Sequence, residues 1–296
     1  MQIPPHNMYR QPVTHNERTA IIFIVDCSIS MLQRAKIGNL IRPKIEIVEY
    51  ICNIMIDELM LRAVRGNKVR NYYDIAVLGY SMGDVRSLLP GDSEGFVAID
   101  RLIEMAPAPK TVYIEQHDAD GSTTTAPITF HEWIKPRAGG STPMHEALAY
   151  AYTLIERWCR NLDNRYSFPP MVFHITDGDY NDAHEADILD IASRIRLTHT
   201  EDGNTLLFNI HLSSDIEEDY HEVFPHAKRY TTDRRDRDIL FKMASIIPKT
   251  LEPLVAHIMG LKRRGPYRGV IYNTSPCDLL AILNIGTESA NNIRFL

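Results

Sequence analysis

Four short apolar runs constrain this chain more than any other feature. Residues 19–25 (TAIIFIV), 74–80 (DIAVLGY), 170–176 (PMVFHIT) and 206–212 (LLFNIHL) are nearly continuous, rich in β-branched residues and bounded by polar turns, as buried parallel strands are. Between and after them, 44–64, 143–159, 183–197 and 239–259 carry apolar residues at helical spacing. Regular alternation of this kind predicts an α/β fold, with a mostly parallel central sheet and helices on both faces.

The rhythm breaks between 81 and 140. PGDSEG at 90–95, APAP at 106–109 and DADGSTTT at 118–125 punctuate it, a short helix is expected at 96–105, and 111–115 and 128–134 read as antiparallel edge strands. We read this stretch as an elaborated edge. LKRRGPYRG at 261–269 reads as a linker, and Ser275-Pro276-Cys277-Asp278 as the start of a short helix that LLAIL continues. The expected organisation is an N-terminal extension at 1–17, one domain at 18–262 and a linker with a short helix at 263–296. There are no internal repeats.

The net charge of −6 argues against nucleic-acid binding through overall charge, since neutralising phosphates takes clustered Lys and Arg. The clusters at Lys262 to Arg264 and at Arg234, Arg235 and Arg237 read as solvated loop charges. No run reaches the ~18 apolar residues of a membrane span, and the first residues, MQIPPHNMYRQPVTHNER, lack the apolar core of a secretory signal. A cytoplasmic protein is expected. Cys27, Cys52, Cys159 and Cys277 form no Cys-x-x-Cys pair and are expected to be reduced thiols.

The chemistry is expected at the strand ends. Asp26 closes the first run in Asp26-Cys27-Ser28-Ile29-Ser30, Asp177 closes the third in Thr176-Asp177-Gly178, and Thr142 lies in Gly139-Gly140-Ser141-Thr142-Pro143, where it would cap the following helix. Ligands collect at the carboxyl ends of parallel strands, so the three turns are expected to meet at one edge. Two carboxylates and three hydroxyls, without thiolates or paired histidines, suit a hard divalent cation. Mg²⁺ is the first expectation, and oxygen ligands also admit Mn²⁺ or Ca²⁺.

Asp26-x-Ser28-x-Ser30, Thr142 in Gly-Gly-Ser-Thr-Pro and Asp177 in Thr-Asp-Gly resemble, in order and spacing, the metal-ion-dependent adhesion site of von Willebrand factor type A (VWA) domains. The resemblance covers roughly residues 18–262 and implies a Rossmann-like VWA fold of the bacterial intracellular type. It implies that Ser28, Ser30 and Thr142 coordinate the ion directly or nearly so, that Asp26 and Asp177 act through water, and that a protein partner's Glu or Asp completes the shell. It further implies an adaptor to an AAA+ ATPase, or to a kinase or phosphatase of a stress or defence system. Ile29 departs from the pattern, where the family often has glycine; it restricts the turn.

Each motif alone has a plainer reading: Asp-x-Ser as a helix cap, Ser-Thr-Pro as a helix start, Thr-Asp-Gly as a turn. Asp179 and Asp182 read as solvated turn residues, and His145, His174 and His211 as hydrogen-bonded core or rim groups. No Gly-x-Ser-x-Gly elbow supports Ser28 as a nucleophile and no Gly-x-x-x-x-Gly-Lys-Ser/Thr loop is present, so intrinsic catalysis is not expected. The alternatives are a metal-dependent hydrolase, and a structural subunit whose cradle holds no metal.

Overall fold

The first apolar run becomes β1 (Thr19–Asp26), every residue of which is buried. The computed structural model describes residues 8–37, 40–91, 95–117, 123–215, 220–228, 234–262, 264–273 and 282–285. β1 lies inside a sheet with β2 (Tyr73–Ser81), β3 (Asp84–Ser87), β4 (Val97–Ala98), β5 (Met171–Thr176), β6 (Leu206–His211), β7 (Glu222–Val223) and β8 (Val270–Tyr272). The order is β7-β8-β6-β5-β1-β2-β3, with β4 also paired to β2. The pairs β8-β6, β6-β5, β5-β1 and β1-β2 are parallel, and the short outer strands are antiparallel. The mostly parallel α/β architecture expected from the alternation is present.

Successive side chains of a strand point to opposite faces, and β1 feeds two cores in that way. Ile21, Phe23 and Val25 pack in one core with Val48, Ile51 and Met55 of α1 (Lys44–Ala63) and Leu254 and Val255 of α5 (Glu252–Ile258). Ile22 and Ile24 pack in the other with Leu148 and Ile155 of α2 (Met144–Arg160), Ile188 of α3 (Glu185–Leu197) and Leu240 of α4 (Arg235–Met243). Burying each such side chain contributes roughly 1.5–3 kcal/mol, so the strand ends that carry the site are firmly held.

Several elements differ from the sequence expectation. The single helix expected at 239–259 is two helices, because Pro248 has no N–H to continue the ladder; the Ser245 N–H instead donates to Leu207 O, while Ser245 O accepts from the Gly269 N–H and Ser245 Oγ from the Leu207 N–H. The strands expected at 111–115 and 128–134 run from Pro109–His117 and Thr123–His131 and pair with each other, not with the main sheet. That hairpin is tied to α1: Asp57 accepts from the His131 N–H at 2.8 Å and from Trp133 Nε1 at 2.7 Å. The edge strands contributed by the 81–140 stretch are β3 and β4, and the expected short helix is a turn at Ile99–Leu102 extended by a 3₁₀ turn at Ile103–Met105.

β8, which the sequence reading did not assign, enters the sheet beside β6, directly after the segment read as a linker. The expected helix start at 275–278 lies outside the described residues; 282–285 are helical. Among the described residues no helix is long and apolar enough to cross a membrane. Arg237 is buried, with its guanidinium 4.2 Å from the Tyr220 ring centroid, so that basic cluster is not wholly solvated.

Candidate functional site

Asp26 is the last residue of β1, and its carboxylate joins two of the three turns. Oδ1 accepts from the Ser28 N–H at 2.8 Å, fixing the loop that follows β1, and Oδ2 accepts from the Thr176 hydroxyl at 2.8 Å, across to the end of β5. Thr176 Oγ1 in turn accepts from the Gly178 N–H at 3.0 Å. Gly178 has φ +86°, and a Cβ there would stand 2.7 Å from the Asp236 carbonyl, so only glycine lets this turn lie against the start of α4.

Ser28 Oγ and Ser30 Oγ lie 3.0 Å apart. Adjacent ligands of an octahedral ion with bonds of 2.0–2.1 Å are about 2.9 Å apart, so the two hydroxyls fit neighbouring positions on one Mg²⁺. Ile29 between them opens a 3₁₀ turn (Ile29–Leu32) and points away, 58% exposed; the β-branched residue does not obstruct the pair.

The third turn is tied to the first by backbone bonds, Gly139 N–H to Cys27 O at 2.8 Å and Ile29 N–H to Gly140 O at 3.1 Å. Gly140 has φ +70°, and a Cβ there would collide with the Met82 side chain. Thr142 is buried, with its N–H on Asn181 Oδ1 at 3.0 Å and its carbonyl accepting from the Asn181 N–H at 3.3 Å. It is not the helix cap the sequence suggested: Pro143 holds that position, with no side-chain cap. The structure thus brings Asp26, Ser28, Ser30 and Asp177 into mutual reach, and Thr142 to the same edge through its loop.

The electrostatics are uneven. Burial, and then the charge of Asp177, push the Asp26 carboxyl up to about 6, the condition of a carboxylate pair short of positive charge. Burial acts on Asp177 in the same direction, but the Lys44 charge and hydrogen bonds from Lys44 and Ser30 outweigh it and hold that carboxyl below its usual value. Lys44 Nζ donates to Asp177 Oδ2 at 2.6 Å and to Ser214 Oγ at 2.7 Å, and the Lys44 side chain is wholly buried. Ser214 passes the chain on to Gln33 Oε1 at 2.6 Å.

Lys44, Thr176, Asn181 and Ser214 were missed as site residues. Lys44 did carry a signal: a lysine opening a helix sets positive charge against the positive end of the macrodipole, a local conflict that calls for a nearby anion. Asn181 and Ser214 carried none. Among the described residues no three His, Cys, Asp or Glu side chains group to hold a metal; the candidate donors are two carboxylates and three hydroxyls. With the hydroxyl pair spaced for one ion and Asp26 lacking a countercharge, they fit a hard cation. Lys44 already occupies one oxygen of Asp177, whose other oxygen accepts from the Asp179 N–H at 3.2 Å, so Asp177 fits a role through water better than direct ligation.

The neighbouring groups are structural. His174 is enclosed between the Tyr80 hydroxyl at 2.9 Å and Asn209 Oδ1 at 3.1 Å, and burial lowers it to about 4. His211 Nε2 lies 3.1 Å from Asp236 Oδ2, in the wall of a cleft of roughly 520 Å³ beside Asp177. Asp182 accepts from the Glu146 N–H, and burial followed by the Asp177 charge raises Asp179. Cys27, Cys52 and Cys159 are free thiols; burial and then the Asp26 charge push Cys27 up to about 12, which leaves it inert beside the cradle.

No family model matches the sequence, and no curated protein matches it. Among solved structures, the chain is similar to a von Willebrand factor type A protein from Catenulispora acidiphila, at 14% identity and a TM-score of 0.39, covering 66% of this chain and 33% of that one. It is similar to the three N-terminal domains of the type V pili tip protein Mfa5 from Porphyromonas gingivalis, at 10% identity and a TM-score of 0.33, covering 55% and 20%. It is also similar to an uncharacterized membrane spanning protein from Vibrio fischeri, at 13% identity and a TM-score of 0.27, covering 66% and 71%. The chain spans a third of the length of the first and a fifth of the second. All three TM-scores lie below 0.5, and the site rests on its own geometry.

Proposed function

We propose that this chain is a VWA-type docking module of the bacterial cytoplasm. It holds a divalent cation, Mg²⁺ first, with Ser28, Ser30 and Thr142, supported by Asp26 and Asp177, and uses it to bind an acidic side chain of a protein partner. The observation that carries this reading is the meeting of the two buried carboxylates with the 3.0 Å hydroxyl pair at the carboxyl edge of one sheet. When bound, the cation supplies a Lewis-acidic position that a carboxylate can complete.

The chain's own residues prepare that position. Asp26 orients the Ser28 loop through Oδ1 and the Asp177 turn through Thr176, so both turns move as one unit. Lys44 neutralises Asp177, and two carboxylates, one ammonium and a divalent ion together sum to +1, an excess that favours an incoming carboxylate. An adaptor role toward an AAA+ ATPase, kinase or phosphatase is the class of pathway such a module fits, and we read it as a binding protein rather than an enzyme.

Calorimetric titration of Mg²⁺ into the wild type and the Asp26→Ala and Thr142→Ala variants tests the metal. Binding to the wild type is expected, with stabilisation of about 2.7 kcal/mol at a hundredfold excess over Kd, and neither variant should respond while both keep the wild-type circular dichroism. Absence of heat and of thermal shift with Mg²⁺, Mn²⁺ and Ca²⁺ alike would overturn the metal reading. A partner retained equally in Mg²⁺ and in EDTA would overturn metal-bridged docking.

A further inference from the structure

We propose that Ile29, Leu32 and Met82 form an apolar docking rim beside the cradle, and that its occupant is a protein loop presenting an acidic side chain flanked by apolar residues. The acidic part rests on the metal-docking reading above; the apolar part has its own support.

The three side chains are 58%, 52% and 70% exposed. Ile29 and Leu32 are three apart in one 3₁₀ turn, where side chains at that spacing line up in a single row. Ile29 N–H bonds to Gly140 O, Met82 N–H bonds to Ser141 O at 3.3 Å, and the Met82 side chain covers the place a Cβ at Gly140 would take. The rim is therefore built on the same loops that carry Ser28, Ser30 and Thr142. Isolated exposed hydrophobes are ordinary, whereas exposed apolar side chains grouped on connected loops and bordered by polar residues are the composition of a contact surface.

Met82 adds a second, independent argument. With Gly83 it forms the two-residue turn between β2 and β3, at φ +53° and +72°. That turn favours Asn-Gly or Asp-Gly, since a residue other than glycine at positive φ is strained unless its side chain bonds locally. Methionine gains little there for folding, because it has no local bond to make and, beyond its contact over Gly140, its side chain is 70% exposed. Its flexible thioether is suited to packing against an incoming surface. A charged cradle ringed on this side by Ile, Leu and Met is complementary to a carboxylate set between apolar neighbours, because each Leu-sized flank leaves water on docking.

The test uses methyl NMR of the full chain, labelled at Met Cε and Ile Cδ1, with three blocked peptides identical except for a central Leu-Glu-Leu, Ser-Glu-Ser or Leu-Gln-Leu, each in Mg²⁺ and in EDTA. Leu-Glu-Leu is expected to shift the Met82 and Ile29 methyls at about tenfold lower concentration than Ser-Glu-Ser. In the Leu32→Ser/Met82→Asn variant that preference should vanish at the Ile29 methyl while Mg²⁺ titrates unchanged, and Met82→Asn alone should raise Tm by relieving the turn.

Equal binding of Leu-Glu-Leu and Ser-Glu-Ser in Mg²⁺, with neither bound in EDTA, would overturn the rim and leave the metal reading standing. A Leu-Glu-Leu preference over Ser-Glu-Ser that persists in EDTA would keep the rim and overturn the metal reading, whereas Leu-Gln-Leu binding as well as Leu-Glu-Leu would remove the acid from the proposal. No shift of these methyls with any peptide at millimolar concentration overturns the rim. So do shifts that depend on protein concentration alone, which would assign the surface to a second copy of this chain.

Discussion

Asp26 and Asp202 sit at opposite edges of one sheet, Asp26 as the last residue of β1 and Asp202 before the start of β6, and burial pushes both carboxyls up to about 6. Their surroundings differ. Asp202 accepts from the Arg10 N–H at 3.0 Å and the Gln11 N–H at 3.2 Å, and its carbonyl accepts from the Tyr9 N–H at 2.6 Å, so it ties an N-terminal segment to the sheet with neutral backbone donors. Asp26 faces a second carboxylate, two convergent hydroxyls and, beyond Asp177, a buried ammonium. The same shift marks a structural clasp at one edge and a candidate ion site at the other. A perturbed carboxyl nominates a site only when further donors converge on it.

The largest expected effect comes from the ammonium that separates the two edges. Lys44→Met leaves Asp177 buried without its counterion, a change that costs about 3–5 kcal/mol for a broken buried pair. At the cradle this loss should be rescued in part by Mg²⁺, whose affinity should rise by at least about tenfold, since the Lys44 ammonium shares Asp177 with the site and repels the ion: even two unit charges about 4 Å apart repel by about 4 kcal/mol at an effective dielectric of about 20, and the ion carries two. Urea melts in EDTA and in Mg²⁺, with a calorimetric titration, measure both. An equal loss in the two media would mean that no cation enters this edge, and the contrast with Asp202 would collapse.

Asp202→Asn probes the clasp. The amide keeps one acceptor and turns N–H groups toward a backbone N–H, for about 1–3 kcal/mol when measured near pH 4, with no dependence on Mg²⁺. Because the folded carboxyl titrates higher than the unfolded one, its proton is bound more tightly in the native state. The stability it contributes is complete below about pH 4 and is lost as pH rises through about 6. The advantage of wild type over variant should therefore shrink by on the order of 2–3 kcal/mol between pH 4 and 7. A difference that instead grows with pH would show Asp202 to be stabilised as the anion.

The two edges were not equally legible. The strands were, because residues buried on both faces must be apolar without interruption, as Ile21 to Val25 are. The cradle was legible as a pattern because Asp26, Ser28 and Ser30 lie in one turn and the other two members follow strand or helix signals. β8 was not: three residues, Val-Ile-Tyr, give too short a run to separate from a linker, and only pairing with β6 makes them a strand. The Pro248 break was written in the sequence but masked by helical spacing on both sides. Lys44 signalled only a local conflict with the helix dipole, because its burial and the identity of its anion are tertiary facts, and Asp202 attracted no notice because its partners are backbone groups nearly two hundred positions away.

The smallest change in stability is expected where the two carboxyls can be compared most directly. Asp26→Asn keeps the acceptor for the Ser28 N–H, and its amide can donate to Thr176 Oγ1 in place of the bond that Thr176 now gives. The cost of rearranging that hydroxyl is set against the relief of repulsion from Asp177, which is among the causes that raise Asp26. In EDTA the two should offset to within about 1 kcal/mol, whereas Asp202→Asn, with no neighbouring anion to be relieved of, has no such offset. In Mg²⁺ the order of the effects should change: the wild type gains stability and Asp26→Asn does not, because one of the two charges that balance the ion is gone. Thermal melts of both variants across a Mg²⁺ series read this directly. If Asp26→Asn responded to Mg²⁺ as the wild type does, the ion would be bound elsewhere, and Asp26 would be, like Asp202, a clasp between turns.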